Sequence, residues 1–187
     1  TKGFKVMKKI IIVLLCIMFL CPSIFAKQKD DVIISVTQGY TNMSTILTTP
    51  LDLTVNDKLS SHNYNLGLTA GVILDNGFTF LEHTDFAAGV SYFNSIKSLS
   101  FLVELHSVIG YTFRPSQNAY INLLTGLGMI YGYPQIIQAG IPVQLGFQYY
   151  FTEKIGIDIS AIDMIGIGFP MFLTNSFTIK TGISFRL

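Results

Sequence analysis

The stretch Ile179-Lys180-Thr181-Gly182-Ile183-Ser184-Phe185-Arg186-Leu187 (IKTGISFRL) stands at the end of the chain, and its reading decides the fold. Ile179, Ile183, Phe185 and Leu187 make an apolar row on every second position, with Thr181 its weak member. Lys180, Gly182, Ser184 and Arg186 occupy the positions between. A period of two marks a strand with one face in an apolar medium and the other in a polar one. Such a strand, with two cations and no polar tail, needs a neighbour along each edge.

Composition sharpens the problem. Half of the 187 residues are apolar and only 12% are charged, against about 25% charged in an ordinary soluble domain. Yet beyond residue 26 no apolar run comes near the roughly 20 residues that a spanning helix needs. The apolarity is spread in alternation. At the N-terminus, Lys8 and Lys9 precede the run Ile10 to Cys21, followed by Pro22 and then Ser23-Ile24-Phe25-Ala26. This is the pattern of a secretory signal peptide, with Met7 as the expected start and cleavage expected after Ala26. The division is therefore 1–26 extension and signal, and 27–187 mature domain. Both cysteines (Cys16 and Cys21) lie in the signal, so the mature domain has no thiol. Four of the twelve lysines and arginines and none of the eleven acids lie before residue 27, which leaves a formal charge of −3 on the rest. Nothing there is basic enough for a nucleic-acid partner.

Seven further alternating segments precede the last one. The first covers Asp31 to Tyr40, and a long polar loop is expected from Thr41 to Asn63. The second sets Tyr64, Leu66, Leu68, Ala70, Val72 and Leu74 against Asn65, Gly67, Thr69 and Gly71, and Asp75-Asn76-Gly77 predicts a tight hairpin turn. The third, Phe78 to Phe93, is least regular, and a bulge is expected where Glu82, His83 and Asp85 interrupt it. The fourth places Leu99, Phe101, Val103, Leu105, Ile109, Tyr111 and Phe113 on one face, and Ser100, Glu104, His106, Gly110 and Thr112 on the other. Similar rows run from Ile121 to Tyr131, Ile141 to Phe151 and Ile155 to Ala161, the last opposed by Asp158. A loop is expected over Met164 to Asn175.

Expected strands of 10 to 13 residues suit a tilted bilayer crossing, which needs about 9 to 11. The rows opposite the apolar ones are mostly small or polar, as the interior of a narrow barrel requires. Aromatic residues (Tyr40, Tyr64, Tyr92, Tyr111, Phe113, Tyr149, Phe151 and Phe185) fall at strand ends, as in an interfacial girdle. The fold class is therefore all-β: an eight-stranded antiparallel up-and-down transmembrane β-barrel with its apolar rows facing membrane lipid. With a periplasmic N-terminus, the longer loops face outward and the short turns inward.

Residues 180–187 resemble the C-terminal assembly signal of bacterial outer-membrane barrels, with Lys180, Gly182, Phe185 and Leu187 at the signature positions. The resemblance implies export to the outer membrane, lipid contacts there and transient recognition by the barrel-assembly machinery. It departs from the pattern in ending on Leu187, where bacterial members usually have Phe. In size and strand count the chain is similar to the OmpX, OmpA-barrel and OmpW group. That likeness implies a structural or surface-interaction role through outward loops, or, as in OmpW, a narrow conduit for small apolar molecules entered near Met164 to Leu173, behind Phe169 and Phe172.

Little argues for catalysis, a cofactor or a metal. Lipid A deacylases of this shape place a His and a Ser two positions apart, whereas His106 is followed directly by Ser107, which alternation sends to the other face. Ser100 is too distant to be an obvious nucleophile. Glu104 and His106 share the inner face, where a lumen network with Asp158, Lys180 and Arg186 is the expectation. Alternation likewise splits Glu82-His83-Thr84-Asp85, so no metal site is read there, and His62 is expected to be a solvated loop residue.

Overall fold

The computed structural model describes residues 31–47, 58–93, 96–133, 136–168 and 172–187, so the expected signal segment lies outside the described residues. Eight strands follow in order: β1 (Asp31–Leu47), β2 (Lys58–Ile73), β3 (Phe78–Phe93), β4 (Ile96–Phe113), β5 (Ala119–Tyr133), β6 (Ile136–Tyr150), β7 (Ile155–Gly168) and β8 (Phe172–Arg186). Each pairs antiparallel with the next, and β8 closes on β1 from Ile33↔Arg186 to Leu47↔Phe172. The result is a closed up-and-down barrel with no sheet edge among the described residues.

The apolar rows face outward. Leu127 is 74% exposed and Leu66 66%, while the alternate positions Ser35, Ser100, Glu104 and Lys180 are at most 1% exposed. A soluble protein could not carry so continuous an apolar surface without aggregating, whereas a bilayer wets it. Closure is what makes this surface tolerable in lipid, because each strand's backbone groups find partners along ladders on both sides of it. Rings collect at both margins. Tyr111 and Phe113 meet edge to face at 5.1 Å, as do Tyr149 and Phe151 at 5.6 Å, near the short turns. Towards the other end, Tyr40 and Tyr64 meet edge to face at 6.2 Å.

Several expectations need correction. The strands run 14 to 18 residues, longer than the periodic segments suggested. Much of the expected Thr41–Asn63 loop is strand, since β1 continues to Leu47 and β2 starts at Lys58; residues 48–57 lie outside the described residues. His62 is accordingly a strand residue, hydrogen-bonded to the Tyr40 hydroxyl and edge-on to Tyr92. The bulge expected at Glu82 to Asp85 is not there. β3 pairs without interruption from Thr79↔Ile73 to Phe93↔Leu59. Glu82 keeps its place on the outer wall by accepting a hydrogen bond from Ser107, the residue opposite it, at 2.8 Å. The segment Met164–Asn175 is also largely strand, continuing β7 to Gly168 and opening β8 at Phe172. Phe169 and the Phe172 side chain, which the conduit reading invokes, lie outside the described residues.

At the turn end, Gly77 takes a φ of 86° and donates its N–H to the Leu74 carbonyl at 2.8 Å. A β-carbon there would meet the Tyr111 ring at 2.7 Å, and left-handed backbone costs an L-residue about 1–2 kcal/mol. Gly77→Ala should therefore lower the urea midpoint of the refolded barrel by about that free energy with an unchanged m-value, and an unmoved midpoint would contradict this turn geometry.

Candidate functional site: the lumen

The inward rows stack in layers along the barrel axis. Near the turns, Ile33, Ile73, Tyr120 and Tyr150 form a buried apolar cluster, with the Tyr120 and Tyr150 rings edge to face at 5.3 Å. Arg186 lies across this floor, its guanidinium 4.7 Å from the Tyr150 ring centre. It donates to the Tyr120 hydroxyl at 2.6 Å and to the Glu153 carbonyl at 2.7 Å. Tyr120 in turn donates to Asp31 at 2.9 Å, and Asp31 pairs with Arg114 at 3.3 Å. Cation–π stacking and hydrogen bonds thus tie β8 to the β4–β5 and β6–β7 turns.

Above the floor, Asp158 accepts from Gln148 at 2.8 Å and from Ser35 at 3.1 Å. Ser35 also bonds Ser184, its partner across the β1–β8 ladder, which meets the Tyr150 hydroxyl at 3.0 Å. A small apolar cluster, Leu81, Val108 and Leu124, also lines the turn-side half.

The centre holds most of the buried charge. Lys180 reaches across the barrel from β8 to both oxygens of Asp85 on β3, at 2.9 and 3.2 Å. Its ammonium also lies 3.5 Å from His83 Nδ1, which meets the Thr69 hydroxyl at 2.7 Å. The register sets Asp85 directly opposite Glu104, and His83 directly opposite His106. Towards the loop end, Met43, Ala87, Leu102, Ile130 and Met164 close the lumen with apolar side chains. A further recess lies elsewhere, in the outer wall. It is a groove of about 770 Å³ lined by Tyr64, Leu66, Phe86, Phe101, Tyr131 and Tyr133, among others.

Residues 25–187 match a protein family described as Domain of unknown function (DUF2715). The chain belongs to that family. No curated protein matches it. Among solved structures, it is similar to Neisserial surface protein A (NspA), with a TM-score of 0.62 at 11% identity over 86% of this chain and 100% of that one. It is also similar to the outer membrane protein OprG from Pseudomonas aeruginosa, with a TM-score of 0.58 at 11% identity over 84% and 95% of the two chains. At such identities the likeness concerns the fold: this DUF2715 chain is a small outer-membrane-type β-barrel.

Within this family member, the structure places Glu104, His106, Asp158 and Lys180 inside the lumen, all at most 6% exposed. It does not bring Arg186 to them, because Arg186 is held at the floor by Tyr120, Tyr150 and Glu153. Of the signal positions, Gly182 pairs with Thr37 of β1, Lys180 points inward, and Phe185 and Leu187 lie on the outer wall. Ser107 points outward, away from His106. Two central residues, Asp85 and His83, escaped sequence reasoning. The only signal for them was their continued alternation with Ala87 and Ser91, which an assumed bulge obscured.

Removing one partner of a buried ion pair strands the other charge, at a cost of about 3–5 kcal/mol. Lys180→Met should therefore destabilise the refolded barrel by about 3 kcal/mol in urea titrations, and Asp85→Asn made in the same chain should return most of that loss. Strict additivity of the two changes would show that the pair is not coupled.

Proposed function

We propose that this protein is a bacterial outer-membrane barrel whose biological work is done at its loop end, the strands serving as a rigid, filled support. The observation that carries this reading is the packed lumen: apolar clusters at the turn end and towards the loop end enclose the central Lys180–Asp85 pair. Eight strands leave an interior only wide enough for side chains, and here those side chains occupy it. Loops on such a support vary at little energetic cost, which suits surface contact. During biogenesis the assembly machinery would read β8 through Lys180, Gly182, Phe185 and Leu187, and outer-membrane lipids would then contact the apolar wall.

One observation favours a second reading, a route for small apolar molecules. The groove between Tyr64, Phe86, Phe101 and Tyr131 is apolar, and its outward-facing lining would meet lipid. Conductance separates a filled support from an open channel. The refolded chain, checked for heat-modifiable migration on a gel, should give no discrete current steps in planar bilayers. Reproducible small steps would overturn the filled-lumen reading. An ion-silent barrel that still speeds transfer of a lipophilic dye between vesicle leaflets would favour the apolar route.

A further inference from the structure

The register creates an electrostatic problem at the centre of the lumen. Asp85 and Glu104 face each other directly across β3 and β4, both fully buried, and like charges in directly opposed positions repel. Lys180 relieves only half of this, since both its carboxylate contacts go to Asp85. Glu104 keeps two buried oxygens, and His106 two buried ring nitrogens, without a direct hydrogen-bond partner at normal distance among the described residues. The hydroxyls of Thr41 and Thr178 stand beside Glu104 and bond each other at 2.9 Å, which leaves at most one hydroxyl proton of the pair for the two carboxylate oxygens. One donor atom from each of Asp85, Glu104 and His106 lies within 4.8 Å of the other two.

We propose that Asp85, Glu104 and His106 bind a first-row divalent transition-metal ion inside the barrel. Ligand atoms about 2.1 Å from one ion stand about 3–4 Å apart, so small rotations of these side chains would complete the set. Two carboxylates with an imidazole suit Zn²⁺, Mn²⁺ or Fe²⁺, whereas Mg²⁺ and Ca²⁺ take oxygen donors. Charge points the same way. Among the described residues, the buried formal charges are Asp85, Glu104 and Asp158 against Lys180, and a dication brings them to neutrality.

The surroundings fit an enclosed ion. Gly128 stands opposite His106 on β5, and a β-carbon there would meet the His106 ring at 2.7 Å, so glycine leaves the imidazole its room. Leu81 and Val108 lie two residues towards the turns from His83 and His106, while Ala87 and Leu102 lie two residues towards the loops from Asp85 and Glu104. These apolar layers limit exchange with bulk solvent, so the ion would enter as the barrel folds. The donors come from two strands, Asp85 from β3 and Glu104 and His106 from β4, so the pattern along β3 alone does not display them together.

The test is to refold the full chain into detergent with Zn²⁺ or Mn²⁺, strip free metal with a chelator column, and measure retained metal by mass spectrometry. About one equivalent per folded barrel is expected. Glu104→Gln and His106→Gln should each retain at least about tenfold less, while Glu82→Gln on the outer wall should match the parent. A folded parent barrel that retains no metal, or ligand variants that retain as much as the parent, would overturn the site and leave ordered water as the partner of Glu104 and His106. If the variants do not fold, Co²⁺ loaded into the parent decides: visible ligand-field bands distinct from aqueous Co²⁺ support the site, and their absence rejects it.

Discussion

The hydrogen-bond ladder between β8 and β1 is the constraint on which the rest of this structure depends. It runs from Ile33↔Arg186 to Leu47↔Phe172 and converts a sheet with two edges into a closed wall. In lipid an unpaired strand edge would leave a row of backbone donors and acceptors with no solvent to satisfy them, at several kcal/mol each. Once that ladder closes, the apolar rows can all face outward and the polar rows must all face one another. The inverted distribution of Leu127 and Leu66 against Ser100 and Glu104 then follows as a consequence.

Closure also forces chemistry into the lumen. Side chains from strands distant in sequence become neighbours across a narrow interior, as Lys180 does with Asp85, 95 residues away. Around that pair the polar groups fall into two kinds. Some are fully engaged, such as Asp158 between Gln148 and Ser35. Others, Glu104 and His106 above all, bury carboxylate oxygens and ring nitrogens with no hydrogen-bond partner at normal distance among the described residues. A folded interior seldom leaves such atoms unsatisfied, so they are where bound water or an ion is to be sought.

The floor and the wall divide the remaining labour. Arg186, the last cation of β8, does not enter the central charge cluster but bridges Tyr120, Tyr150 and the Glu153 carbonyl, holding neighbouring turns against the final strand. The aromatic pairs Tyr111–Phe113 and Tyr149–Phe151 mark the margin of the apolar band on the outside at the same end. This end is thus tied together both inside and out, while the loop end carries the longer strand extensions. A filled cage with one well-anchored end is the support that the proposed loop-end role requires.

Much of this was legible in the chain alone, because alternation with a period of two is local. Ile179 to Leu187, the Leu99–Phe113 row and the Asp75-Asn76-Gly77 turn each declare their geometry without reference to any other segment. Strand number, fold class and the inward direction of Glu104, His106, Asp158 and Lys180 follow from that pattern. What alternation cannot carry is register, which depends on pairing with a neighbour. Only the register lets Glu82 remain in an unbroken strand through Ser107, extends β1 and β2 into the polar segment, and seats Asp85 opposite Glu104. Arg186 was placed on the right face by its sequence, but its level against Tyr150 rather than Glu104 was decided by closure of the barrel. The sequence by itself determined which face each side chain takes, since a strand's faces alternate residue by residue. The tertiary structure alone decided which side chains meet, since that requires all the strands to be staggered against one another.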